Sequence, residues 1–196
     1  MKSTTANKKA EAQRILNAAR SHIFTHGFRS LLLDKFARKL SMNVRNIYSH
    51  HRSKSLLITA VIEAKLAEMD RDLEAIHSED LHFEESMQAM LGVLHRHSHE
   101  YSRQYIRDLT DNATLFEWTR NLRAQILKRH FVEFFELGQR EKAIRTDISA
   151  ARFTDAYFAL TDGIFIGNAL KTTKGSSVHE IHKELFSILL RGVLLH

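Results

Sequence analysis

The chain has 196 residues, enough to bury a core as one domain or two small ones. It has no cysteine, which excludes disulfides and thiolate metal sites and fits a reducing compartment; it has no proline either, which favours uninterrupted helices. The net charge of +6 is unevenly spread: residues 1–54 carry twelve Lys or Arg against Glu11 and Asp34, a balance of +10, and the rest stands at −4. Such asymmetry points to a nucleic-acid or anionic-membrane surface at one end, or to a solvated basic face. The opening MKSTTANKKAEAQR lacks the apolar centre of a signal peptide, and no apolar run approaches the ~18 residues of a membrane span. The expectation is a cytoplasmic protein that makes no use of a membrane.

In chain order, Ile15, Ala18, Ala19, His22 and Ile23 have the spacing of an amphipathic helix. It should end near Thr25–Gly27, where Gly27 suits a C-terminal cap. Residues 31–51, LLLDKFARKLSMNVRNIYSHH, hold two short helices. Phe36, Ala37 and Leu40 mark the inner face of the first. Ser41-Met42-Asn43 makes a tight connection, and Ile47 anchors a second helix from about Val44 to His50. The small Ala37 lets two backbones cross steeply, Met42 fills the corner, and Asn43 is a good N-cap. This is a helix-turn-helix pattern, whose second helix lies in the major groove of DNA. The outward positions Val44, Arg45 and Asn46 are then the base readers, since Arg pairs bidentately with guanine, Asn with adenine, and Val meets a thymine methyl. Tyr48, His50 and Lys54 are the expected phosphate contacts.

From Lys54 a long pattern runs through Leu57, Ala60, Val61, Ala64 and Ala67 towards Leu73 and Ile76. Phe83, Met87, Met90, Leu91 and Leu94 make another helical face. A longer helix is expected from near Asp111 or Asn112, past Ile126, Leu127 and Phe131, to about Gly138. Two more follow at about Ala150–Leu170 and Val178–Leu194, separated by the loop Thr172-Thr173-Lys174-Gly175-Ser176-Ser177. No alternating run supports a sheet, and no internal repeat is present. The expected fold is all-α, with about nine helices. It divides into a three-helix helix-turn-helix domain over residues 1–54 and a larger helical domain over residues 55–196.

Two other chemistries compete. His95, His97 and His99 alternate, but on a helix only His95 and His99 share a face, and a pair falls short of a zinc ligand set. Glu74-x-x-His77 and Glu79-x-x-His82 suggest a helical metal-dependent oxidase of the di-iron type. That chemistry needs such motifs on facing helices, whereas these crowd within nine residues at what reads as a helix end. No nucleophile elbow, phosphate loop or HExxH occurs, so no catalytic residue is assigned and no enzyme is expected.

The stretch from Arg14 to Glu63, including ILNAAR, HGF, FARKLSMNVRNIYSHHRSKSLL and AVIE, resembles the N-terminal domain of tetracycline-repressor (TetR) family regulators. More loosely, LGQREKAIRTDIS followed by ARFTDAYFALTDGIF is similar to the family's approach to its last two helices. Three departures stand out. Ser41 occupies a turn position where the family usually has Gly; Leu32 and Leu33 sit where Ser, Thr or Val commonly begin a helix; and His51 replaces a packing aromatic.

The resemblance implies a sequence-specific, DNA-binding transcriptional regulator, usually a homodimeric repressor released from its operator by a small molecule. Residues 55–196 then form the regulatory and dimerisation domain. Phe153, Tyr157, Leu160, Ile164, Ile181, Leu185, Ile188 and Leu189 would supply the dimer interface, unless they face the subunit's own core. Tyr101, Tyr105, Phe116, Trp118, Phe131, Phe134 and Phe135 would line an effector pocket or simply fill the interior. The implied partners are double-stranded DNA, a second copy of the chain and a small-molecule effector, with no cofactor and no metal. The alternative within the same motif is an architectural or ligand-independent DNA-binding protein.

Overall fold

With no proline to interrupt it, the chain folds into long helices wherever its apolar residues recur at helical spacing. The computed structural model describes residues 2–166, 184, 187–192 and 194, with side chains at 6–160 and at those positions beyond 166. Up to residue 166 there are eight helices: α1 (Lys2–His26), α2 (Leu33–Lys39), α3 (Val44–His50), α4 (Lys54–His77), α5 (Phe83–His99), α6 (Arg103–Thr110), α7 (Ala113–Arg140) and α8 (Ala150–Ile166). The fold is all-α; an isolated antiparallel bridge pairs Ile144 with Leu194. No described helix is long and apolar enough to cross a membrane. Residues 187–191 are helical, but most of the expected Val178–Leu194 helix and the Thr172–Ser177 loop lie outside the described residues.

Two features differ from expectation. α1 begins at Lys2, well before the apolar pattern that starts at Ile15. A separate helix, α6, ends at Thr110, and the long α7 follows from Ala113, within two residues of its expected start. The Ser102 hydroxyl caps α6 by accepting the Tyr105 N–H at 3.1 Å, and Tyr105, Ile106, Asp108 and Leu109 are its buried face.

The chain forms two compact units: Met1–Lys65 with Glu100–Ala113, and Leu66–His99 with Thr114–His196. The division thus passes within α4 at Lys65, and α6 joins the first unit. That unit's core draws Ile15, Ala19, Ile23 and Phe24 from α1, Phe36 and Ala37 from α2, Ile47 from α3 and Leu57, Ile58, Val61 and Ile62 from α4. Tyr105 closes it, edge-on to Phe24 with ring centroids 5.0 Å apart, and Tyr101 stands edge-on to Phe24 at 5.1 Å.

Polar anchors fix the same unit. Gly27 ends α1 with φ +79°, and its N–H donates to the Ile23 carbonyl at 2.9 Å. Asp108, fully buried on α6, accepts the backbone N–H of Arg29 at 2.8 Å and the Gln104 amide at 2.7 Å. The Lys65 ammonium, 1% exposed, is paired with Glu100, which also accepts Arg20 at 2.8 and 3.0 Å.

The second unit is built on aromatic rings. Phe83 of α5 meets Phe134 of α7 at 4.9 Å, Phe135 meets Phe153 of α8 at 4.9 Å, and Phe131 meets Tyr157 at 4.8 Å. Leu66, Met69 and Leu73 of α4 are buried in this unit, with Met90 and Val93 of α5 and Leu127 of α7.

Candidate nucleic-acid interface

The helix-turn-helix occupies the expected residues. Phe36, Ala37 and Ile47 are buried at 5%, 1% and 0% exposure, so the inner faces of α2 and α3 bear on the core while their outer faces stay wet. The connection is tight because the Met42 N–H donates to the Ala37 carbonyl at 2.9 Å and the Ser41 N–H to that of Arg38 at 3.0 Å. Ser41 takes φ +55°, a left-handed conformation that costs a residue with a Cβ about 1–2 kcal/mol. The turn therefore keeps its shape without glycine. Asn43 caps α3 as expected, its side-chain oxygen accepting the Arg45 N–H at 2.9 Å. Arg14 of α1 donates to the Leu40 carbonyl and so braces the end of α2.

α2 starts without such a cap. Leu32 holds the N-cap position in an extended conformation, makes no side-chain capping bond and is 53% exposed. Replacing Leu32 with Ser should therefore stabilise the protein by about 1 kcal/mol, the usual worth of a hydroxyl cap. A raised midpoint in thermal denaturation is the expected result; an unchanged midpoint would show that the α2 amides are satisfied some other way.

The six candidate DNA contacts fall into three groups. Arg45 and Tyr48 are exposed, and Val44, half-buried, precedes Tyr48 by one helical turn, so these three share the outer face of α3. Asn46 and His50, also one turn apart, face α1 instead. The Asn46 amide donates to Glu11 at 3.3 Å, and His50 Nε2 lies 3.6 Å from the same carboxylate. Lys54 opens α4 behind a Ser53 cap, and its ammonium donates to the Arg29 carbonyl at 3.3 Å. Burial lowers the Lys54 pKa, an effect that the nearby Asp108 charge opposes. His51 is half-buried, and burial followed by the neighbouring His50 charge pushes its pKa down.

Four further cations belong to the same basic segment. Lys35, Arg38, Lys39 and Arg52 are all exposed, on α2 or just after α3. Their signal was present in the segment's charge of +10, but charge alone does not say which lysines face outward.

The effector candidates divide between the units. Tyr101 and Tyr105 pack on Phe24 in the first unit, and burial raises the Tyr105 pKa well above its ordinary value. Phe131, Phe134 and Phe135 are at most 2% exposed in the core of the second, where Phe116 and Trp118 are half-buried on α7. Of the seven, Phe134 also lines a small open cleft with Leu73, Ile76, Met90 and Leu137. Among the interface candidates, Phe153 and Tyr157 are buried against rings of their own chain, whereas Leu160 and Ile188 are 45% and 66% exposed. Leu189 is half-buried. Nothing is described of the Ile164 side chain, and Ile181 and Leu185 lie outside the described residues.

The arrangement defines a helix-turn-helix unit joined to a second helical unit. Solved structures share it: a transcriptional regulator from Cytophaga hutchinsonii superposes with a TM-score of 0.72 at 13% identity, over 93% of this chain and 98% of its own. A regulator from Saccharomonospora viridis in complex with choline gives 0.71 at 19% identity, over 96% and 100%. A TetR-family regulator from Agrobacterium tumefaciens gives 0.66 at 14%, over 96% and 100%. The chain has the fold of TetR-family transcriptional regulators. No protein-family model matches its sequence, and no curated protein matches it.

Proposed function

We propose that the chain is a sequence-specific, DNA-binding transcriptional regulator that acts in the cytoplasm as a homodimeric repressor. The carrying observation is the outer face of α3, where Val44, Arg45 and Tyr48 lie on one side of a helix anchored from behind by fully buried Ile47. That face belongs to a strongly basic segment, as a DNA-reading element requires. Arg45 reads a base, Val44 supports it with apolar contact, and Tyr48 holds the backbone. Asn46 and His50 join them on release from Glu11, and Lys54 holds a phosphate once it leaves the Arg29 carbonyl. Leu160 and Ile188, large apolar side chains left exposed, are the leading contacts for a second copy. The role is binding and not catalysis.

A small-molecule effector acting in the second unit completes this reading. The neighbour solved with choline favours it over an architectural binder that has no ligand.

The test is the Arg45→Ala variant on an operator selected from genomic fragments. Affinity should fall by about 1–3 kcal/mol on the operator, with relaxed preference at one base pair. Measured by fluorescence anisotropy, an equal loss on random DNA would remove Arg45 from base reading. No operator binding by the wild-type chain would end the proposal itself.

A further inference from the structure

We propose that His77, His130 and Glu133 form a binding site for a divalent transition metal of the zinc class, within the second unit and independent of DNA recognition. His77 is the last residue of α4, and His130 and Glu133 lie one turn apart on the same face of α7. His77 Nε2 is 3.0 Å from His130 Nδ1 and 3.3 Å from Glu133 Oε2, and the three ligand atoms all lie within 4.8 Å of one another. Bonds of about 2.0–2.2 Å to a tetrahedral ion place its ligands roughly 3.3–3.5 Å apart, so the first two separations already approximate that spacing. Glu133 is 47% exposed and has the freedom to close the third.

The shell behind these atoms suits a ligand set better than a chance contact. His130 is 1% exposed, and its far nitrogen, Nε2, is 2.7 Å from Asp70 Oδ1. A carboxylate there takes the Nε2–H, which leaves Nδ1 as a lone-pair donor aimed at His77. This carboxylate–imidazole pairing is the usual support for a metal-bound histidine. Asp70 is held in turn by Arg129 at 3.0 Å, and the same guanidinium holds Glu74 at 3.0 Å. Three carboxylates, Asp70, Glu74 and Glu133, and one guanidinium therefore surround the two imidazoles. With neutral rings the group carries an excess of two negative charges, which a divalent cation balances. Three protein ligands leave a fourth position for water.

A His–His hydrogen bond is the competing account, because the rings are parallel to within 4° and meet edge to edge. It explains the short N–N approach and lets Glu133 share the same Nε2–H at 3.3 Å, but it leaves the excess negative charge of the group unbalanced.

The experiment uses the full chain, stripped with a chelator and then titrated with Zn²⁺ by calorimetry and with Co²⁺ by visible absorption. The wild-type protein should take up one tight equivalent and give the intense bands of tetrahedral cobalt. His77→Gln and Glu133→Gln should each weaken uptake by at least about ten-fold and abolish those bands. Asp70→Asn should weaken it about 10–100-fold, acting only by positioning His130. His95→Gln, in the separate His95–His99 pair, should leave uptake unchanged. No stoichiometric uptake by the wild type would overturn the proposal, as would full affinity in His77→Gln or a loss confined to His95→Gln. Should His77→Gln fail to fold, the half-exposed Glu133→Gln decides the matter.

Discussion

Replacing Gly27 with alanine is expected to destabilise the first unit by about 3 kcal/mol, from two separate causes. The first is conformational. Gly27 ends α1 at φ +79°, where a Cβ costs about 1–2 kcal/mol. The second is steric, with an electrostatic consequence. A Cβ built there would lie 2.4 Å from Asp108 Oδ2 and 3.1 Å from its Cγ. Asp108 has no room to yield, since it is fully buried and is the acceptor for the Arg29 N–H. Moving it strands a buried carboxylate and a backbone donor together, worth about 1–3 kcal/mol more. Gly92→Ala is the matched control. It lies inside α5, a Cβ there meets nothing nearer than Arg96 Nη1 at 3.8 Å, and a small gain in stability follows from helix propensity. Urea denaturation followed by far-UV circular dichroism measures both. Equal midpoints for Gly27→Ala and wild type would mean that Asp108 does not hold the α1 terminus.

Glu100→Gln should cost about 3 kcal/mol near neutrality, at the lower end for breaking a buried ion pair because Glu100 is itself 39% exposed and screened. The penalty comes chiefly from Lys65. At 1% exposure its ammonium would lose a charged partner and have no path to water. The effect carries a pH signature. Burial by itself would raise the Glu100 pKa, but hydrogen bonds from Lys65 and Arg20, with their charges, bring it below the ordinary 4.5. A lowered native value means that the stabilisation is complete above the unfolded-state pKa and disappears as pH falls through the native one. The gap between wild type and Glu100→Gln should be full at neutral pH and close on acidification. A gap that stays constant into acid would locate the loss in packing instead of charge.

The sequence disclosed what depends on local pattern. Gly27, Asn43 and Ile47 each have one short-range job, as stop, cap and anchor, and the helix-turn-helix fell within its expected bounds. Features that depend on distant partners were hidden. α6 is only eight residues long and its buried face includes Asp108, a residue that periodicity counts as solvent-facing. Tyr101 and Tyr105 stand beside the middle helices in sequence, yet pack on Phe24, more than seventy residues earlier. In the candidate DNA interface, residue type singled out Asn46 as a reader, but only the structure shows its amide turned to Glu11. The His77–His130 contact spans 53 residues, and local spacing carries only the Glu74-x-x-His77 half of that neighbourhood.

Trp118 on α7 is the only tryptophan in the chain, and it belongs to the second unit. Tyr48, Tyr101 and Tyr105 belong to the first. Emission excited beyond the tyrosine absorption edge therefore follows one unit alone, whereas circular dichroism follows the helices of both. For Gly27→Ala and Glu100→Gln, whose direct damage is confined to the first unit, comparing the two signals measures cooperativity between the units. Coincident transitions would mean that a break beside α1 is felt at Trp118 and that the molecule melts as one; separated transitions would give each unit a stability of its own.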